Sequence, residues 1–164
     1  AFSFGPDTKD EMNIRIKAGV DHFHDVRSMS DKDVAILARS FELDIAVDLG
    51  GFTKDSRTGI FSEGSAPIQV NYLGYPGTMA AEYMDYIIAD HTLIPESHQR
   101  YYSEKVVYLP DSYLVVSKIK TSIPFFRASE AKFEPKKPHP PVIKRRILMF
   151  FPLFFFDCQF QTLF

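Results

Sequence analysis

The chain has 164 residues, 45% hydrophobic and 24% charged, which suffices for one domain with a real core and excludes a wholly disordered protein. Its net charge of -2 is uneven, because the first 113 residues carry 10 Lys or Arg against 18 Asp or Glu, and the rest carry 9 against 3. The acidic body argues against a nucleic-acid surface, and a single cysteine, Cys158, excludes an internal disulfide and a cysteine-based zinc cluster.

Short apolar strands alternate with helices in the first part of the chain. Gly5-Pro6 stops a first strand, and Asp7 is expected to cap the helix that follows. Ser30-x-x-Asp33 is a capping-box pattern, and apolar residues then recur at helical spacing. The apolar run Ile45 to Leu49 is typical of a strand buried on both faces of a parallel sheet. The predicted order is strand 2–4, helix 7–20, strand 22–26, helix 31–41 and strand 45–49.

The same alternation continues to residue 109. A polar segment at 53–64, with one helical turn around Ile60, leads to a strand at 67–73. A helix-prone stretch at 79–83, a strand at 85–89, a helix at 96–103 and a strand at 106–109 follow. Strands separated by helices predict an α/β fold, a Rossmann-like parallel sheet with flanking helices.

The central strand lies in the stretch Ala66 to Thr78 and is followed by a tight loop at Gly74-Tyr75-Pro76-Gly77-Thr78. Ligands of open α/β sheets bind beyond the carboxyl ends of strands, and glycine lets them approach the backbone closely. We therefore place the functional site at this loop. An ordinary turn is the alternative, and the Gly-x-Pro-Gly spacing by itself favours it.

After Tyr113 the character of the sequence changes. Ten of the sixteen phenylalanines lie in 114–164, around a basic and proline-rich stretch, and no helical or strand periodicity persists. We predict a lobe at 1–113 and a divergent, irregular, aggregation-prone tail at 114–164 that does not complete the sheet. A reading-frame shift or retained intron would produce such a change. The basic Lys136 to Arg146 beside the apolar Ile147 to Phe156 resembles a membrane-surface segment, but the apolar run is too short to span a bilayer and Pro152 interrupts it, so we do not expect membrane binding.

Other polar groups suggest alternative sites. Four histidines lack partners at ligand spacing, so we expect solvated side chains and no metal site; they are His22, His24, His91 and His98. Four acids at strand ends could act as the paired acids of a glycoside hydrolase, but loop and cap roles are favoured; they are Asp44, Asp48, Asp85 and Asp90. The segment Lys54 to Arg57 is expected to be a solvated loop.

Several stretches together resemble the O-linked N-acetylglucosamine transferase family, particularly its bacterial and SPINDLY-like members. They are Phe2 to Asp7, Asp44 to Phe52, Ala66 to Thr78, Tyr86 to Asp90, Tyr102 to Lys105 and Leu109 to Tyr113. The resemblance covers roughly residues 1–113. It implies part of the first of two Rossmann-like lobes, the GT-B arrangement, usually preceded by tetratricopeptide repeats.

The resemblance also implies a function. Such enzymes transfer a sugar from a uridine diphosphate sugar to Ser or Thr hydroxyls of proteins, with the donor as substrate and no metal or other cofactor. The residues that match the sugar and acceptor cleft are Phe52, Thr53, Leu73, Gly74, Tyr75, Pro76, Gly77 and Thr78. We expect a cytoplasmic protein, or also a nuclear one if eukaryotic, since the chain opens without a secretion signal.

This chain departs from the family in ways that bear on activity. Phe52 stands where relatives often carry Tyr, and Gly64-Ser65 replaces an Arg-Pro pair. The histidine segment of the family, which holds the candidate base, and the nucleotide-binding second lobe are expected outside this chain. We therefore expect a fragment, with no catalytic residue of its own, that is inactive in isolation. The alternatives are a non-catalytic Rossmann-like binding module and a SPINDLY-like protein O-fucosyltransferase.

Overall fold

The structure is a computed structural model that describes residues 1–114 and 147–151. Within these residues it contains seven strands, three α-helices and one 3₁₀ helix. The strands are β1 Phe2–Ser3, β2 His24–Asp25, β3 Ile45–Asp48, β4 Ile68–Asn71, β5 Tyr86–Ala89, β6 Lys105–Tyr108 and β7 Ile147–Phe151. The α-helices are α1 Glu11–Ala18, α2 Asp31–Ser40 and α3 Gly59–Ser62, and the 3₁₀ helix is Glu96–Tyr101.

The seven strands form one parallel sheet in the order β2-β1-β7-β3-β4-β5-β6. From β3 to β6 each strand pairs with the next in the chain, whereas β7 lies between β3 and β1, and β2 lies beyond β1. Every residue of β3 and β4 is buried, as expected for strands covered on both faces. The predicted Rossmann-like α/β fold is confirmed.

The prediction that residues 114–164 add nothing to the sheet is wrong at β7. This strand lies between β1 and β3, where Phe2 pairs with Phe150 and Ala46 pairs with Leu148. Leu148 and Phe150 are buried, so these two side chains are not available to a membrane surface. The run Ile-Leu-Met-Phe-Phe lacks polar alternation because an interior parallel strand is covered on both faces. The rest of the predicted tail lies outside the described residues, and the domain division at 113 stays a prediction.

Three smaller predictions also need correction. No helix forms at Met79–Tyr83, and the segment before β6 is a 3₁₀ helix. Asp10, not Asp7, caps α1, because its Oδ1 accepts a hydrogen bond of 2.7 Å from the Asn13 amide. Asp7 instead forms an ion pair of 3.0 Å with Lys17. The predicted Ser30 cap of α2 is confirmed, since its Oγ accepts from the Asp33 amide.

Successive side chains along each strand point to opposite faces of the sheet, and they form two apolar layers. On one face, α2 and α3 cover a cluster in which the Phe150 ring meets Phe2 and Phe61 edge to face, at centroid distances of 5.2 and 4.9 Å. On the other face, Ile16 of α1 packs on the outer side of the central strands. The central strands are therefore covered on both faces, which leaves their carboxyl ends as the place where loops can carry function.

The prediction of a solvated loop at Lys54 to Arg57 is wrong for Arg57. Its guanidinium donates to the backbone oxygens of Val26 and Met29, at 2.9 and 2.6 Å, and pairs with the Asp31 carboxylate at 2.6 Å. The loop after β3 is thereby fixed to the connection between β2 and α2. A charged donor with three acceptors is a strong link, so Arg57 holds together the two sides of the sheet that flank β7.

Candidate functional site

The loops that follow β3 and β4 meet at the carboxyl edge of the sheet. Gly74, in the loop after β4, packs directly on the loop after β3, since a Cβ added to it would lie 2.5 Å from the Leu49 oxygen and 2.6 Å from the Gly50 oxygen. Leu73 reaches this position with a left-handed φ of 78°. Glycine at position 74 is therefore required by close contact between two backbones.

The Tyr75 ring joins these two loops. It meets the Phe52 ring edge to face at a centroid distance of 5.6 Å, a favourable arrangement for aromatic pairs. Gly51, with φ 59°, leaves room for the Cβ of Tyr75, and Gly77 lies under the tip of the same ring. Phe52 is 51% exposed, so the pair forms an accessible aromatic wall.

Two buried polar side chains support the loops from below. Asp48 and Asn71 are partners in the register of β3 and β4. Asp48 Oδ1 accepts from the Gly50 amide at 2.9 Å, and Asn71 Nδ2 donates to the Tyr75 oxygen at 2.9 Å and the Gly77 oxygen at 3.4 Å. Each strand thus ends in a polar side chain that fixes the loop that follows it.

Glu104 fixes the far end of the loop after β4. This buried carboxylate accepts from the Met79 amide at 2.6 Å and from the Thr78 hydroxyl at 2.7 Å. Tyr102, from the same segment, donates its hydroxyl to the Pro76 oxygen at 3.0 Å. The segment before β6 therefore positions Pro76 to Met79 as firmly as Asn71 positions Tyr75.

Sequence reasoning gave no roles to Asn71 and Glu104, although both lie in stretches that carry the family resemblance. One signal was available for Asn71, because a polar residue at the end of an apolar strand usually serves the loop beyond it. For Glu104 the sequence offers no such signal. Its partners Thr78 and Met79 are 25 or more residues away in the chain, so only the folded structure brings them together.

The structure brings the predicted site residues from both loops to one edge of the sheet. Phe52 and Tyr75 touch, Gly74 contacts the Gly50 loop, and Thr78 is held by Glu104. Thr53 lies beside Phe52, and its buried hydroxyl has no hydrogen-bond partner among the described residues. This arrangement can shape a cleft and present an aromatic surface. Whether these residues bind a ligand stays a prediction.

Asp48 is a buried acid whose environment the sheet determines. It is 3% exposed, and burial raises the pKa of its carboxyl above the ordinary value of 3.8, although hydrogen bonds from the Gly50 and Gly51 amides oppose the shift. The carboxylate is enclosed, so its role is to hold the loop after β3. A base for the acceptor hydroxyl would need access to substrate.

We expect Asp48→Asn to gain stability relative to the wild type as the pH rises. A raised pKa means that the folded protein favours the neutral acid, so the wild type is most favoured below pH 3.8 and loses stability as the pH rises through the raised pKa. Asparagine retains the acceptor oxygen without the charge. Urea unfolding of both proteins between pH 3.5 and 7 measures the difference, and a difference that does not change with pH would contradict the expectation.

Two of the other three acids hold loops, as expected. Asp90 accepts hydrogen bonds from the Thr92, Leu93 and Tyr113 amides, and Asp85 accepts from the Gln69 amide. These two carboxylates fix connections of the fold, which is the role favoured above over that of a glycoside hydrolase pair.

The expectation of solvated histidines is confirmed for His22, His91 and His98, which are exposed, whereas His24 is half-buried. The His24 ring packs against Phe2 and Phe41, at 5.3 and 5.1 Å, and the His91 ring stacks on Tyr108 at 3.9 Å. Within residues 1–114 and 147–151, no three His, Cys, Asp or Glu side chains are grouped to hold a metal ion. The same residues contain no helix with the length and apolar character needed to cross a bilayer.

Comparisons with known proteins agree on one family. Residues 1–130 match the model of glycosyl transferase family 41. The chain is 41% identical over 105 residues to an Arabidopsis thaliana protein named as a probable UDP-N-acetylglucosamine–peptide N-acetylglucosaminyltransferase, SEC; the match covers 64% of this chain and 11% of that protein. It is 35% identical over 98 residues to a SPINDLY protein of Petunia hybrida with the same enzyme name, covering 60% of this chain and 10% of the relative.

A solved structure gives the same answer for the fold. A mutant O-GlcNAc transferase from Thermobaculum terrenum superposes with a TM-score of 0.65 at 31% identity, over 68% of this chain and 21% of that one. The chain thus spans about a tenth of the length of the curated relatives and a fifth of the solved chain. The family match and the shared fold lead to one conclusion: this chain belongs to glycosyl transferase family 41.

Proposed function

We propose that the protein of which this chain is part transfers N-acetylglucosamine from a uridine diphosphate donor to Ser or Thr hydroxyls of proteins. The observation that carries the proposal is the pair of interlocked loops at the carboxyl edge of β3 and β4, within the region that matches the family. The names of the similar proteins support this donor and a peptide acceptor. In this proposal the donor is a substrate, and no metal or other cofactor takes part.

In this proposal the chain contributes one wall of the cleft. The aromatic pair of Phe52 and Tyr75 forms its accessible face. Gly74 and Gly77 have no Cβ, which lets the loop pack closely against the Leu49 and Gly50 oxygens and against the Tyr75 ring. Asn71 and Glu104 hold the wall in place from within the fold. A fixed wall supports transfer by positioning the donor against the acceptor, which is a large part of catalysis in two-substrate reactions.

The 164-residue chain by itself should not transfer sugar at a detectable rate. Transfer needs a base near the acceptor hydroxyl and positive groups beside the diphosphate leaving group. In residues 1–114 and 147–151, the carboxylates of Asp48 and Glu104 are enclosed, and the Arg57 guanidinium is bound to Asp31 and two backbone oxygens. Acid-base assistance alone contributes typically ~10²-fold or more, so a half-cleft would be far slower than a complete enzyme.

A chimera tests the proposal. Residues 1–113 would replace the matching region of an active family 41 enzyme, and transfer from radiolabelled UDP-N-acetylglucosamine to a Ser/Thr peptide would be measured. We expect turnover, and we expect Gly77→Val to abolish it, because a Cβ at this position already lies 2.7 Å from the Tyr75 ring. Ile14→Val, on the exposed side of α1, is the matched control and should leave turnover unchanged.

The other outcomes discriminate between the alternatives. A well-folded chimera that is inactive with both UDP-N-acetylglucosamine and a nucleotide-linked fucose would favour a non-catalytic module. Activity only with the fucose donor would favour an O-fucosyltransferase. Robust turnover by the 164-residue chain would contradict its proposed incompleteness, and an unaffected Gly77→Val chimera would contradict the site assignment.

A further inference from the structure

The most unusual feature of the sheet is the position of β7. It is the last strand of the described chain, yet it occupies the middle of the sheet between β1 and β3. In doubly wound sheets the strand at the point where the order reverses is typically the first in sequence. All other neighbouring strands of this sheet follow each other directly in the chain. β7 therefore lies between β1 and β3, although the chain segments that connect the other six strands to each other do not include it.

The position between β1 and β3 is a groove suited to one parallel apolar strand. Both walls pair with β7, in a register that matches Phe2 to Phe150 on one side and Asp48 to Phe150 on the other. At its upper end the Leu49 amide donates to the Phe150 oxygen at 2.9 Å. Two backbone edges that both bind one inserted strand provide the hydrogen bonds by which sheets bind peptides.

Side chains of β7 alternate between two separate layers. Leu148 and Phe150 enter the layer under α2 and α3, and Ile147 and Met149 pack against the opposite layer. A strand with a charge at position 148 or 150 would bury that charge without a partner, which is costly. The groove therefore selects for apolar side chains on both faces in a defined register.

The walls of the groove are joined without help from β7. Helix α2 runs from β2 on one side to β3 on the other and packs Val34, Ala35 and Ala38 into the shared layer. Arg57 adds a second link, since it comes from the β3 side and binds Val26 and Met29 on the β2 side. A groove whose walls are already connected loses less entropy when a strand binds, because it is largely preorganised.

From this geometry we infer that the β1/β3 groove is a strand-acceptor site and that Ile147–Phe151 is a separable donor strand, which an identical strand supplied in trans can replace. The inference concerns the sheet and does not depend on the proposed sugar transfer. Residues 109–146 separate the donor from β6, so removing the donor leaves the connections among β1 to β6 intact. The occupant is this chain's own segment, from the same copy or from a second copy.

Strand exchange in the full chain tests the inference. A protease site placed within residues 115–146 would be cut after folding, so that the tail is held only by its contacts. A fluorescent peptide of residues 144–151 would then be added; its Lys-Arg-Arg start keeps it soluble. We expect the peptide to displace the tail, seen as a rise in fluorescence polarisation and as a mass change in native mass spectrometry.

A matched peptide controls for non-specific adhesion. The same sequence with Leu148→Asp and Phe150→Asp should bind at least ~100-fold more weakly, because two carboxylates would be buried without partners. Equal binding of the two peptides would overturn the inference, as would no incorporation of the natural peptide into the cut chain.

Disulfide trapping identifies the position of the bound peptide. In a chain with Cys158→Ser, Ala46→Cys should form a disulfide with a peptide carrying Leu148→Cys, because positions 46 and 148 are paired in the register. A peptide with Met149→Cys, which faces the other layer, should not react. Binding without the 46–148 disulfide would place the peptide at an outer edge of the sheet and overturn the inference. A dimer formed by mixing uncut Ala46→Cys chains with uncut Leu148→Cys chains, both also carrying Cys158→Ser, and joined by the same disulfide would support it, with the strand supplied by a second copy.

Hydrogen exchange on the uncut wild-type chain gives a measurement that needs no variant. A separable strand opens without unfolding the rest of the sheet, so the amides of β7 should exchange faster than those of β4 and β5. Equal protection of all three strands would mean that β7 leaves only when the whole sheet unfolds, which would contradict its separability.

Discussion

Gly74→Ala is expected to destabilise the protein by about 3 kcal/mol or more, the upper end of the cost of inserting a methyl group into a packed site. The added Cβ would meet the Leu49 and Gly50 oxygens at 2.5 and 2.6 Å. Both atoms belong to the backbone at the end of β3 and cannot rotate away. The loop after β4 must therefore separate from the loop after β3, or the chain must unfold. Urea unfolding followed by circular dichroism measures the loss.

Gly77→Ala is the matched control for this change. Its Cβ would also be too close to a neighbour, at 2.7 Å, but the neighbour is the tip of the Tyr75 ring. A side chain can rotate at modest cost, of order 0.5–1.5 kcal/mol for a distorted rotamer. Gly77→Ala should therefore cost clearly less than Gly74→Ala. Similar losses for the two variants would show that the loops do not interlock as described.

The sequence was most informative where one local signal determines the structure. The apolar run at Ile45 to Leu49 predicted a buried parallel strand, and the structure places a fully buried β3 there. The capping pattern at Ser30 predicted the start of α2 for the same reason, since a cap depends only on residues within one turn. The loop after β4 was located from its glycines and proline, which are local signals as well.

The predictions from the sequence failed where the structure depends on contacts between residues that are far apart in the chain. Ile147–Phe151 shows no alternation, and such a run does not by itself distinguish a central strand from an irregular tail. Its structure is determined by pairing with the edges of β1 and β3, whose residues are far away in the chain. Arg57 was predicted to be solvated for a similar reason, because its acceptors at Val26 and Met29 become neighbours only after folding.

The candidate site and the position of β7 are physically connected. Leu49, whose amide donates to the Phe150 oxygen, directly precedes the Gly50–Thr53 loop. The Leu49 oxygen, in turn, is one of the two atoms against which Gly74 packs. Occupancy of the groove by β7 thus fixes the backbone on which both site loops rest. A vacant groove should loosen the aromatic wall of Phe52 and Tyr75 before it disrupts the outer strands β5 and β6.

Phe150→Ala should have the largest effect of any single truncation in β7, a loss of about 3–5 kcal/mol in the free energy of unfolding, as for large buried aromatic residues generally. The Phe150 ring is fully buried and contacts Phe2 and Phe61, which come from β1 and α3. Its removal leaves a cavity at the point where three elements meet.

Phe52→Ala removes the same number of atoms from a ring that is 51% exposed, and it should cost roughly 1 kcal/mol or less. The comparison can be made by urea unfolding of the two variants and the wild type at one pH. Proteolysis then reports on the connection to the site, because Phe150→Ala should speed cleavage within Gly50–Thr53 while β5 and β6 remain protected. If Phe150→Ala were as stable as Phe52→Ala, β7 would not be the central strand of this sheet, and the groove between β1 and β3 would need another occupant.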